Sequence, residues 1–275
     1  MVHRQPGEHG LKVSRGYTTV SFGQIHYRYA GTVRRPVLVL LHQTPSTSAM
    51  YEGLMLALAN DYRLFAPDTP GMGLSDPVAG EMTINALAGG VSEFLDDLGI
   101  DNCFVFGHHT GAAIATQLAA DHPDRVGALA LSGPTLIDAT LRAKLPEVAA
   151  PIPVDEEGGH LVQRWGRIRG MDQDVSLDIV QRETLDAIAM DERYPAAYEA
   201  VMAHDVESAL AALNCPVLVF AGTGDVLHPQ LDAALALLAD GSKREIADAG
   251  TFVCETHCRE VAALLREFFP SVASA

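Results

Sequence analysis

The sequence predicts an α/β fold built on a mostly parallel sheet, and three observations carry that prediction. Five short, continuously apolar runs recur at residues 36–41, 63–66, 103–106, 128–131 and 217–221, the pattern of strands buried on both faces. Helix-length stretches with apolar residues at three and four spacing separate most of them, as in a doubly wound sheet. The chain's 275 residues are 48% hydrophobic, enough to build a sizeable core.

The elements follow in order. Residues 17–22 and 24–29 alternate polar with apolar or aromatic side chains around Gly23, which reads as an antiparallel hairpin with one wet face. The buried-strand pattern begins at 36–41 (PVLVLL), and helices are expected at 48–59, 83–98, 111–121 and 230–239. Between about 135 and 207 the alternation stops: Pro-rich turns at 145–153 lead into helical stretches holding Trp165 and Tyr194, without a clear strand. This segment reads as a helical insertion. An insertion after a sheet strand covers that strand's C-terminal edge, where open α/β sheets bind ligands, so it is a candidate lid. The expected division is a core of residues 1–134 and 208–275 and a lid of 135–207; a helical pair that only adds core is the alternative.

Composition excludes some classes. The 19 Lys and Arg against 35 Asp and Glu give a formal net charge of −16, which repels phosphate backbones and anionic lipid surfaces. Nucleic acid and membrane partners are therefore not expected. A mean hydropathy of +0.12 is too apolar for disorder, and the longest apolar runs fall short of the ~20 residues that span a bilayer. Residues 1–10 have no apolar stretch after their basic residues, so neither a secretory signal nor an anchor is expected and the reading is cytoplasmic. Cys103, Cys215, Cys254 and Cys258 are few for this length and read as reduced thiols.

The chemistry concentrates where strand 103–106 runs into Gly107-His108-His109-Thr110-Gly111 and then an Ala-rich helix. This strand, G-x-Nu-x-G, helix layout resembles the nucleophile elbow of the α/β-hydrolase superfamily, in which a strained turn lifts the central side chain above the sheet. Leu41-His42-Gln43-Thr44-Pro45 resembles the family's H-G-x-P oxyanion loop, and residues 67–76 (PDTPGMGLSD) resemble its G-x-G-x-S-D loop. Ala221-Gly222-Thr223-Gly224-Asp225 resembles the acid loop, with Ala249-Gly250-Thr251-Phe252 as the final loop and 26 positions between Asp225 and Thr251. The resemblance spans roughly residues 17–269 and implies an eight-stranded, mostly parallel sheet with helices on both faces, a helical lid, and a bacterial-type divergent branch of the superfamily.

Two positions depart from the family pattern. Where the resemblance calls for a Ser, Cys or Asp nucleophile stands His109, and where it calls for the base histidine stands Thr251. Only the acid, Asp225, is kept, so an acyl-enzyme mechanism does not transfer. The elbow points His109 into the pocket in any case, as acid or base or as a group that orients a ligand. Asp225 can orient a histidine, bind an amine or hold loop backbone. By resemblance the oxyanion hole uses the backbone N–H groups of Thr44 and Thr110, which do not depend on side chains, and His42 is structural.

The sequence leaves alternatives open around this centre. Thr251 and His109 could form a hydroxyl–imidazole pair with exchanged places, or Thr251 could only fill space. Ser46 and Ser48 could approach His109, though they also fit a turn and a helix N-cap. His228, with a lid histidine such as His160 or His204, could converge on His109, whereas His108 and His109 should point apart. Cys254, His257 and Cys258 form a compact cluster that lacks a fourth ligand nearby in sequence, and Gly71-Met72-Gly73 lacks the third glycine of a dinucleotide loop, so neither metal nor cofactor is expected. Arg164, Arg167 and Arg169 fit a solvated helix face more readily than an anionic substrate. The expected function is a small-molecule enzyme, hydrolase or lyase/isomerase, on a carbonyl, ester or lactone-like substrate. The alternative is a non-catalytic ligand-binding or regulatory protein, and a homodimer is left open.

Overall fold

The computed structural model describes residues 12–273; the N-terminal stretch read above for a leader lies outside them. The hairpin strands β1 (Ser14–Val20) and β2 (Gly23–Ala30) pair antiparallel around a two-residue turn. β3 (Val37–Leu41), α1 (Glu52–Leu58), β4 (Arg63–Pro67), α2 (Ile84–Asp97), β5 (Cys103–His108), α3 (Thr110–Asp121) and β6 (Val126–Ser132) follow. Five helices come next: α4 (Ala139–Ala149), α5 (Gly159–Met171), α6 (Leu177–Met190), α7 (Arg193–Ala203) and α8 (Val206–Ala211). β7 (Val217–Gly222), α9 (Leu231–Ala236), β8 (Gly241–Ile246), α10 (Val253–Thr256) and α11 (Cys258–Ala273) complete the chain.

The eight strands form one sheet in the order β1-β2-β4-β3-β5-β6-β7-β8. β2 runs antiparallel to β1 and β4, and all other pairs are parallel. This is the predicted α/β-hydrolase fold. Its core has two halves because successive strand side chains alternate faces. Val39, Leu41 and Val105 meet α2 and α3 through Leu87, Val91, Phe94 and Leu118. On the other face Leu38, Leu40, Phe106 and Phe220 meet α1 and α11 through Leu54, Leu58, Leu265 and Phe269.

β8 had no signature in the sequence. Its residues GSKREI are mostly polar and exposed, as suits an edge strand whose charges discourage pairing with another chain. The helix expected from residue 48 opens as a short 3-10 turn at Ser48–Tyr51, and its N-cap is Thr47, whose side chain accepts from Ala49 N–H. Ser48 instead donates from Oγ to Asp68 Oδ1 at 2.5 Å and accepts from Arg28 Nη1 at 2.7 Å. The capping role expected of Ser48 is therefore corrected to Thr47.

Candidate active site

β5 delivers the chain to His109, whose backbone sits at φ 49°, ψ −113°. A non-glycine residue there is strained and has to be held by its surroundings. The two flanking glycines allow the turn: a Cβ on Gly107 would come within 2.2 Å of Gly111 O, and one on Gly111 within 1.9 Å of Leu41 O. His109 N–H donates to Ser132 O at 2.9 Å, tying the elbow to β6. Thr110 opens α3, so its N–H has no acceptor within the helix.

The imidazole of His109 reaches the acid directly, with Nε2 2.7 Å from Asp225 Oδ2. Asp225 lies just beyond β7 and is 4% exposed, and its Oδ1 accepts from Leu227 N–H at 2.8 Å. Burial opposes its charge, but the adjacent His109, aided by the Leu227 amide, holds the carboxyl down to about 2. An ionised carboxylate only accepts, so the shared proton belongs to His109 Nε2. Nδ1 makes no hydrogen bond to a described residue. The ring rests against Gly133, where a Cβ would stand 2.5 Å from His109 Cδ2.

His108 does not point away from His109 as the sequence suggested. The strained elbow brings the two rings to 4.2 Å between centroids, tilted by 37°. His108 Nε2 donates to Thr251 O at 2.8 Å, and its Nδ1 accepts from Ser132 Oγ at 3.0 Å. Complete burial, with His109 alongside, pushes its pKa down to about 3, so His108 is a neutral strut. Thr251 thus meets this centre through its carbonyl. None of the three hydroxyls considered, Thr251, Ser46 and Ser48, is hydrogen-bonded to His109.

In the loop after β3, His42 Nε2 accepts from Thr69 N–H at 2.8 Å and Nδ1 donates to Gln43 O at 2.9 Å. Burial lowers its pKa, which fits a neutral ring fastening two loops. Thr44 Oγ1 lies 4.0 Å from Met72 Sδ. Ser46 turns toward the helical segment and donates to Glu183 Oε1 at 2.6 Å.

The other histidines considered make their side-chain contacts with groups other than His109. His228 Nε2 faces Glu245 Oε1 at 3.4 Å, His204 Nε2 meets Gln117 Oε1 at 2.9 Å, and His160 sits by Asp155. Cys254 is buried with its thiol pushed well up by desolvation, and His257 Nδ1 meets Thr256 Oγ1 at 2.9 Å. Among the described residues no three His, Cys, Asp or Glu side chains are grouped to hold a metal ion.

Sequence reasoning missed a polar seam between α6 and the core. Arg182 spans Glu255 at 2.6 and 2.7 Å and Glu183 at 2.7 Å. Thr47 Oγ1 meets Asp186 Oδ2 at 3.3 Å. Burial raises Glu183 to about 7 and Asp186 to about 6. A carboxylate and a serine 137 positions apart leave no local pattern to find. The three arginines do not form a solvated face either. Arg167 and Arg169 donate to backbone carbonyls of Ala150 and Val175, and Arg164 is 5% exposed.

The sequence profile of the alpha/beta hydrolase fold matches residues 36–257. The chain belongs to this family. Among curated relatives, haloalkane dehalogenase 2 of Mycobacterium tuberculosis is 36% identical over 112 residues, 40% of this chain and 38% of that protein. Epoxide hydrolase 2 of Siraitia grosvenorii is 34% identical over 116 residues, 41% of this chain and 37% of that protein. The chain spans under two fifths of the length of each. Among solved structures, a hydrolase from Pseudomonas aeruginosa PA01 has a TM-score of 0.80 at 22% identity, covering 93% of this chain and 98% of that one. The enol-lactonase from Burkholderia xenovorans LB400 has a TM-score of 0.78 at 22% identity, covering 93% and 100%. These structures share the fold. No helix among the described residues is long and apolar enough to cross a membrane.

Proposed function

We propose that the protein is a small-molecule hydrolase in which His109, oriented by Asp225, serves as general base at the elbow. The observation that carries this reading is the 2.7 Å contact of His109 Nε2 with Asp225 Oδ2. It keeps the ring proton on Nε2 and leaves the Nδ1 lone pair to accept another. Membership of the alpha/beta hydrolase family and the similarity to an epoxide hydrolase support the reaction class.

The substrate is a carbonyl compound of ester or lactone type. Nδ1 takes a proton from water as the water oxygen attacks the carbonyl carbon, and the carbonyl π electrons move onto oxygen. The N–H groups of Thr44 and Thr110 stabilise that oxyanion. Collapse expels the alkoxide, which takes the proton back from His109, so the ring returns to its starting state. The same base beside the same amides serves an enolising lyase or isomerase step. Asp225 is the orienting residue, His108, itself held by the Thr251 carbonyl, braces the ring, His42 and Ser46 shape the oxyanion loop, and residues 135–207 form the lid. His228, turned to Glu245, stands at the margin. The reading needs no metal or cofactor and keeps the expectation of a cytoplasmic, bacterial-type enzyme.

Purified protein and its His109→Ala variant, screened against ester, lactone and hydroxy-carbonyl panels, test this. Turnover that falls at least ~100-fold in the variant is expected. Absence of turnover in the native protein, with stabilisation by small ligands intact, would leave the non-catalytic binding protein instead.

A further inference from the structure

The loop that carries Thr44 is held from two sides. On the core side His42 Nε2 accepts from Thr69 N–H at 2.8 Å, and Ser48 gives both its N–H and its hydroxyl to Asp68 Oδ1, at 2.8 and 2.5 Å. Between these two fixed points the hydroxyls of Ser46 and Thr47 turn to α6, where Glu183 and Asp186 receive them at 2.6 and 3.3 Å. Glu183 and Asp186 stand three positions apart and so share one face of the helix.

The Ser46 contact is the shorter and the more deeply buried. Ser46 is 0% exposed and Glu183 1%, and Ser46 Oγ makes no other hydrogen bond among the described residues. Full burial shuts out bulk water as a substitute acceptor, so without Glu183 the hydroxyl is stranded or the loop moves. Glu183 is itself fixed. Arg182 donates from Nη2 to the same Oε1 at 2.7 Å and holds both carboxylate oxygens of Glu255 on α10 at 2.6 and 2.7 Å. The other oxygen of Glu183, Oε2, is buried without a hydrogen-bond partner among the described residues. A proton on the carboxyl therefore sits on Oε2, and Oε1 accepts from Ser46 in both ionisation states.

We propose that Glu183 is a positioning residue for the reaction: by holding Ser46 it fixes the oxyanion loop and links the seating of α6 to the presentation of the Thr44 N–H. Ser46 lies two residues beyond Thr44, and a small shift there moves a donor whose hold on an oxyanion depends on distance and angle. An oxyanion exists only after attack on the carbonyl, so the loss falls on kcat and leaves KM nearly unchanged. This assignment rests on the hydrolase reading of the same site.

The test separates loop position from turnover. Ser46→Ala and Glu183→Met each remove one end of the bond, whereas Glu183→Gln keeps an acceptor for Ser46. The Thr44 amide order parameter, read by NMR relaxation, is expected near about 0.85 in the native protein and in Glu183→Gln, and at least about 0.1 lower in the other two, with Thr110 unchanged. With an ester or lactone that the native protein hydrolyses, Ser46→Ala and Glu183→Met should each lower kcat about tenfold and change KM less than about twofold. The double variant should be no slower than either single one, and Glu183→Gln should rescue kcat to within about threefold of the native value. Ser46→Ala deletes a single oxygen and carries the test alone if Glu183→Met does not fold. The proposal is overturned if Ser46→Ala leaves the Thr44 order parameter at its native value, if the two losses add in the double variant, or if Glu183→Gln is as slow as Glu183→Met. A native protein that hydrolyses the ester with a kcat indifferent to the bond would overturn the Glu183 assignment alone. A loosened Thr44 in a protein that turns over no ester or lactone would overturn the hydrolase reading, and the catalytic meaning of the bond with it.

Discussion

Replacing Glu183 by Gln removes a titration that the fold shifts strongly, and the structure fixes both sign and size. Oε1 of Glu183 accepts from Ser46 Oγ at 2.6 Å and from Arg182 Nη2 at 2.7 Å, while its Oε2 is buried without a partner. Burial carries the carboxyl from 4.5 to about 7 against the pull of Arg182, which Glu255 shares. The native state therefore keeps its proton over a range where the unfolded chain has released it. Stability is full below about 4.5 and falls as pH rises to about 7. A shift of that size is worth up to about 3 kcal/mol. Gln keeps an acceptor for Ser46 and Arg182 and never ionises, so Glu183→Gln escapes the loss. Asp186, raised to about 6 by burial, loses stability in the same direction in both proteins and cancels in their difference. Thermal melts at pH 5 and pH 8 measure this difference. The variant should be close to the native protein at pH 5 and gain on it by roughly 5 °C or more at pH 8, at a few degrees per kcal/mol for a chain this size. A native protein that gains on the variant as pH rises would refute the reasoning, because it would mean Glu183 is an ordinary ion-pair partner of Arg182.

Two further substitutions probe the centre itself. Asp225→Asn keeps the shape but removes the charge that fixes the His109 proton on Nε2, and by analogy with triad acids it should lower kcat by roughly 10³–10⁴ with little change in KM. The same aspartate gives the fold an acid limit: its stabilising contribution is complete above 3.8 and is lost as pH falls toward about 2, which acid titration of the unfolding free energy in both proteins measures. Gly133→Ala, at φ +59° with a Cβ 2.5 Å from His109 Cδ2, should displace the ring. Turnover should fall tenfold or more, with a backbone cost of about 1–2 kcal/mol seen in urea unfolding.

The parts of the fold that bury apolar runs were legible in the sequence, and the parts that depend on long-range contact were not. The strands from β3 to β7 announce themselves because both of their faces are covered, whereas the charged edge strand β8 carries no hydrophobic period. His109 was readable from the glycines that permit its turn. Its direct contact with Asp225, 116 positions away, was not, since the pattern shows which residues line a pocket and not which atoms meet. Thr251 misled for the same reason: its side chain invited a hydroxyl role, while its backbone carbonyl takes the contact from His108. The basic residues of α5 looked like a wet face because three arginines in six positions suggest solvent, yet one is buried against an aromatic ring.

In the proposed mechanism His109 offers Nδ1 as a base because Asp225 holds its proton on Nε2. Nitrogen-15 NMR of the imidazole in the native protein reads this tautomer directly. The neutral His109 ring is expected to carry its proton on Nε2, and Asp225→Asn is expected to loosen that preference. A neutral ring protonated on Nδ1 in the native protein would contradict it.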